Sequence, residues 1–135
     1  TAREYFDKAM AIKPNYLQAI NNLGLSYQAL GELETALGMF DRALVIKSDY
    51  LEALGNKANT LRELGMLDAS IQTIEQLLSL EPNNFKALNN LGLTLKDKSD
   101  LDKAKFCFKK AIDIKTDYVE AHRNLSLILN YHENG

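Results

Sequence analysis

Apolar residues recur along the chain at three- and four-residue steps, and each set of steps returns 34 residues later. The first stretch carries Ile20, Leu23, Gly24 and Tyr27. Its later copies read Leu54, Lys57, Ala58, Leu61, then Leu88, Leu91, Gly92, Leu95, then His122, Leu125, Ser126, Leu129. A second stretch carries Ala36, Phe40 and Ala43, copied as Ser70, Ile74, Leu77 and as Ala104, Phe108, Ala111, with Ala2, Phe6 and Ala9 at the same places near the N-terminus. Steps of three and four mark amphipathic helices. A small residue beside a large one at fixed spacing lets two helices approach closely, the large side chain filling the space over the small one. The spacing predicts eight helices, near 2–13, 16–30, 33–46, 50–64, 67–80, 84–98, 101–114 and 118–131, and no strand pattern competes. Three full units (17–50, 51–84, 85–118) align without a gap. They are flanked by half units at 1–16 and 119–135, so the chain reads as one array over 1–135.

The punctuation between helices agrees. Gly31 and Gly65 stand where the first helix of a unit needs a left-handed residue to end it, and Ser99 replaces them in the third unit. Asn15, Asp49, Asn83 and Asp117, all good N-cap types, precede each new unit. Pro14 and Pro82 are placed to end the preceding helices, with Ser48 and Thr116 at the matching positions.

The spacing of Leu23-Gly24, Tyr27, Gly31, Ala36, Phe40 and Ala43, repeated at 34 residues, resembles the tetratricopeptide repeat (TPR), and the resemblance covers the whole chain. It implies an all-α fold: antiparallel helix pairs stacked into a right-handed superhelical solenoid, with a concave groove lined mainly by the first helix of each pair. Two residues depart from the pattern. Lys57 stands where Leu23, Leu91 and Leu125 stand, and Leu77 replaces the small Ala43 and Ala111. The second repeat is therefore expected to pack differently and to be the soft point of the array, with Lys57→Leu adding about 1–2 kcal/mol of stability.

Composition narrows the function. The chain has 135 residues, 46% of them hydrophobic and 25% charged, which suits a folded domain and excludes disorder by composition. With 16 basic and 18 acidic side chains the net charge is −2, so there is no overall basic footprint for nucleic acid. Charge is uneven, with eight basic and five acidic residues over 85–118 against seven and eleven over 1–84, and the interleaved lysines read as a solvated face. No apolar run is long enough for a membrane span. A single cysteine, Cys107, excludes an internal disulfide and fits a reducing, cytoplasmic compartment. The opening Thr1-Ala2-Arg3-Glu4 is expected to be the cut edge of a longer protein.

Catalytic chemistry is not expected. His122 and His132 are ten residues apart on the last helix and share no face; His122, in a column otherwise filled by Ile20, Leu54 and Leu88, is expected to be packed. Cys107 lies between Phe106 and Phe108 with no basic residue clearly placed to activate it. Neither a metal-ligand cluster, a phosphate loop nor a nucleophile elbow appears, so no cofactor is implied.

Function is then expected in the groove. The face of the first helices opposite the packing positions carries Asn21, Asn22 and Gln28, then Gly55, Asn56, Asn59 and Arg62, then Asn89, Asn90 and Lys96, then Arg123 and Asn124. One column is uniform: Asn22, Asn56, Asn90 and Asn124. Asparagine is a mediocre helix former, so a mid-helix column of it calls for a reason. Its carboxamide offers donors and an acceptor that match one peptide unit of an extended ligand. The column resembles the asparagine ladder of the O-linked N-acetylglucosamine transferase superhelix, which implies peptide contact; bonding to neighbouring protein groups is the structural alternative. The family's two-carboxylate clamp for acidic chaperone tails needs Lys and Asn on one repeat, Asn on the next, then Lys and Arg on a third. Those places hold Asn21 and Leu25, Asn56, then Lys86 and Asn90, or, one repeat on, Gly55 and Asn59, Asn90, then Glu120 and Asn124; neither register supplies the set of cations, which disfavours that ligand. The expected function is a non-catalytic protein- or peptide-binding scaffold. The alternatives are a substrate-recruiting arm of a larger transferase, since AHRNLS at 121–126 resembles the last half repeat of bacterial arrays that precede transferase domains, and self-association by end-to-end stacking.

Overall fold

A computed structural model describes the backbone of residues 14–134 and the side chains of residues 16–130. The helix expected over 2–13, with Ala2, Phe6 and Ala9, lies outside the described residues. The seven described helices are α1 (Pro14–Ala29), α2 (Leu33–Ile46), α3 (Leu51–Glu63), α4 (Leu67–Leu80), α5 (Phe85–Asp97), α6 (Leu101–Ile114) and α7 (Val119–Asn134). Among the described residues there is no strand. Pro14 opens the described part of α1, whereas Pro82 stands in the turn after α4.

Helices α1, α3 and α5 end in the same way. Gly31 and Gly65 take φ of +81° and +80°, and the amides of Glu32 and Met66 reach back to the carbonyls of Tyr27 and Leu61 at 2.9 Å. This left-handed cap reverses the chain within three residues and sends it into the next helix. Ser99 makes the same cap with φ +69°, the Asp100 amide donating to the Leu95 carbonyl at 2.8 Å. A side chain with a Cβ is strained in that conformation. Ser99→Gly is therefore expected to stabilise the array by about 0.5–1 kcal/mol, visible as a raised urea midpoint with an unchanged slope.

The caps at the start of α3 and α5 fall one residue later than the sequence suggests. Tyr50 and Asn84, not Asp49 and Asn83, occupy the cap, because a turn closed by Tyr50 N–H to Lys47 O and Asn84 N–H to Glu81 O uses the preceding residue. Only Asn84 then caps with its side chain, accepting the Ala87 amide at 2.9 Å.

Packing follows the small-beside-large code. A Cβ on Gly24 would stand 2.5 Å from Phe40 Cε1, and one on Gly92 would stand 2.4 Å from Phe108 Cε1. Both phenylalanines are fully buried. In the second repeat both partners change together: Ala58 takes the glycine place and Ile74 the phenylalanine place, and both are buried in one cluster. Each helix packs on its neighbours in sequence, while α1, α3, α5 and α7 also touch one another in succession. These four form one layer of the stack, and its free face is the groove.

Lys57 corrects the expectation of a soft second repeat. Its ammonium pairs with Asp41 on α2 at 2.8 Å, with 28% of its side chain exposed. The matching Leu23 is 47% exposed, and Leu91 and Leu125 are half-buried at the edge of core clusters, so the column is only partly covered. Leucine at 57 would trade an ion pair for partial apolar burial, which reduces the gain expected from sequence.

Candidate concave binding groove

The inner layer places its polar side chains at a second regularity, an offset of 35 rather than 34. Asn56 Nδ2 donates to Asn21 Oδ1 at 2.9 Å, and Asn124 Nδ2 donates to Asn89 Oδ1 at 2.9 Å, each pair 35 apart. Nearer the helix C-termini, Gln28 donates to Glu63 at 2.8 Å and Arg62 to Asp97 at 3.5 Å, again 35 apart. The offset exceeds the sequence repeat by one residue, so each bond joins two different columns of neighbouring repeats.

This regularity divides the asparagine column. Asn21 and Asn89 are 5% and 4% exposed, and their amides are committed to the neighbouring first helix. Burial raises the pKa of the neighbouring Tyr118 hydroxyl. Asn56 and Asn124 are half-buried donors in these pairs, so the bonding to neighbouring protein groups weighed against ligand contact is realised for them. Asn90 is half-buried as well, and Asn22 is exposed; neither amide is used in such a pair among the described residues. Thr60 and Thr94 bond the backbone carbonyls of Asn56 and Asn90 at 2.8 and 2.9 Å, and the Asn90 residue lines the groove.

The structure brings Asn21, Asn56, Asn59 and Asn90 together around one cavity of about 540 Å³ between α1, α3 and α5. Its floor includes Leu51, Gly55, Leu77 and Ala87, and Glu52, Glu81 and Lys86 stand among its charged lining. The other expected groove residues are not part of it. Arg62 is paired with Asp97, Arg123 is exposed, and Lys96 lines a separate cavity of about 590 Å³ with Ser99, Leu101, Leu127 and Ile128. Sequence reasoning passed over Leu77, Glu81 and Asn84 as lining groups. Glu81 and Asn84 lie in the turn before α5, which the one-residue shift of the cap brings against the groove mouth.

Groups singled out for chemistry take structural places. Cys107 is buried, and burial pushes its thiol up to about 11, so it is protonated at neutral pH. His122 is exposed rather than packed, its Nε2 lying 2.7 Å from the Thr116 carbonyl, because the turn before α7 presents that oxygen to it. The His132 side chain lies outside the described residues. Among the described residues no three acidic, histidine or cysteine side chains are placed to hold a metal, and no helix is long and apolar enough to cross a membrane.

Family profiles described as tetratricopeptide repeat match residues 51–84 and 85–118, and another matches residues 17–47. No protein of curated function matches in sequence. Solved structures share the fold. The Sgt2 TPR domain from Aspergillus fumigatus superposes with a TM-score of 0.82 at 22% identity, over 87% of this chain and 80% of that one. The first TPR domain of RPAP3 (Spaghetti), bound to an HSP90 peptide SRMEEVD, gives 0.82 at 15% identity over 90% and 96%. MamA residues 41 to the end, from Desulfovibrio magneticus RS-1, gives 0.78 at 20% identity; the match covers 87% of this chain and spans 66% of that one.

Proposed function

The chain belongs to the tetratricopeptide repeat family, and from that membership we propose that its concave groove holds an extended segment of a partner protein, with the central amides gripping the main chain. The observation that carries this reading is the cavity between α1, α3 and α5, where Asn59 and Asn90 present side-chain amides over an apolar floor. An extended strand exposes an N–H and a C=O at every residue, and each must stay paired when water is displaced. A carboxamide supplies a donor and an acceptor at one point, so it binds main chain without demanding a particular side chain.

The HSP90 peptide held by the RPAP3 domain is acidic. Of the three places that would need cations for such a tail, only Lys86 is positive, while Asn21 and Asn90 are neutral, and the rest of the charged lining is the acidic pair Glu52 and Glu81. The reading therefore favours neutral or basic segments. Peptides selected from a random library on the immobilised protein, then titrated into ¹⁵N-labelled protein, should shift the amides of α3 and α5 around Asn59 and Asn90. Shifts confined to the outer helices, around Val45 and Phe106, would reject the groove as the binding surface.

A further inference from the structure

Among the described residues one rung of the asparagine level is missing. The pairs Asn21–Asn56 and Asn89–Asn124 are made, but the intervening pair would join residues 55 and 90, and residue 55 is a glycine. The Asn90 amide thus faces an empty place on α3. A second change accompanies the first. The repeats with Asn21 and Asn89 carry the buried Ala43 and Ala111 22 residues on, whereas the repeat with Gly55 carries Leu77. A Cβ on Gly55 would stand 3.7 Å from Leu77 Cδ1, in ordinary contact, and Leu77 lines the groove cavity. Through the missing side chain, a core leucine reaches the groove floor.

We propose that the notch formed by Gly55, Leu77 and Asn90 is the specificity pocket of the groove, taking one apolar side chain of an extended, neutral-to-basic peptide while the Asn90 amide bonds that residue's main chain. The proposal rests on the groove reading above and adds to it a place and a selectivity. Among the described residues three properties meet at this notch. The amide is unspent, whereas those of Asn56 and Asn124 are committed to Asn21 and Asn89. The floor is apolar, made by Leu77 with Leu51 and Ala87. The charged lining carries Glu52 and Glu81 against the single Lys86, which attracts cationic flanks and repels acidic ones. An apolar side chain over Leu77 excludes water from the adjoining peptide group, and that group then needs the partner Asn90 supplies.

The notch can be closed by copying its neighbours. Gly55→Asn with Leu77→Ala reproduces the pairing and packing of the flanking repeats. Random dodecapeptides displayed on phage and selected on the wild-type chain are the probe. Enriched peptides are expected to share one apolar residue with basic or neutral neighbours and to bind the closed variant about tenfold or more weakly. Gly55→Asn alone, which leaves Leu77 in the core, should weaken the same peptides while retaining the helical circular dichroism spectrum. Asn90→Ala should weaken them about three- to tenfold without lowering the melting temperature. Enrichment of acidic peptides, or equal affinity for wild type and a folded closed variant, overturns the notch. If those peptides still shift the groove amides, the groove reading stands without it. Absence of any enriched peptide, or shifts confined to the outer helices, overturns both.

Discussion

Gly92→Ala is expected to cost the array about 1–3 kcal/mol, although alanine is the better helix former by roughly 1 kcal/mol. The added methyl would sit 2.4 Å from Phe108 Cε1, and Phe108 is fully buried, so neither partner has free volume to retreat into. Overpacking therefore outweighs propensity. The second repeat shows how the strain can be removed, since Ala58 there faces a repeat whose phenylalanine has become Ile74. Phe108→Ile alone should also destabilise, by leaving a void over Gly92. Combined, the two changes should lose less than the sum of the single losses, with a coupling of about 1–2 kcal/mol in urea denaturation. Additive losses would show that the glycine and the phenylalanine act independently, and that the close approach does not set the spacing of α5 and α6.

Asn56→Ala and Asn124→Ala are expected to destabilise by about 1–3 kcal/mol each, while Asn90→Ala is neutral or slightly stabilising. Removing the Asn56 or Asn124 donor strips the buried Asn21 or Asn89 oxygen of its 2.9 Å partner, and water reaches neither site freely. The Asn90 amide has no such obligation, so alanine there returns only its higher helix propensity. Chemical denaturation of the three variants checks the split. Equal losses at all three positions would mean that the asparagines serve their own helices, and the 35-residue pairing would not be the reason for the column. With sequence alone, Asn56 and Asn90 look equivalent, and both substitutions would be expected to leave the fold intact.

That difference shows where sequence reasoning stops. A 34-residue period compares like with like within the chain and makes Asn22, Asn56, Asn90 and Asn124 one class. Hydrogen bonds between adjacent first helices run at 35, one residue off the repeat, so each asparagine depends on a residue in a different column of the unit before it. The pairing becomes visible in sequence only when residues 21, 55 and 89 are set beside residues 56, 90 and 124. Its one break, Gly55 opposite Asn90, then looks like ordinary drift. Lys57 misled for a related reason. Its column is apolar in three repeats, yet it lies on a seam open enough for a lysine stem, and Asp41 on α2 completes it.

By itself the sequence determined the array. Apolar steps of three and four dictate helices, a small residue opposite Phe40 or Phe108 dictates close pairing, and Gly31, Gly65 and Ser99 dictate the reversals. Each of these signals is local and repeated, and the residues that send it are the residues that use it. The tertiary structure alone decided which amides are spent between neighbours, which are left to the groove, and how a leucine from α4 comes to floor it. Those outcomes depend on the offset and curvature with which whole repeats stack, a property of pairs of repeats that no single unit of 34 residues contains.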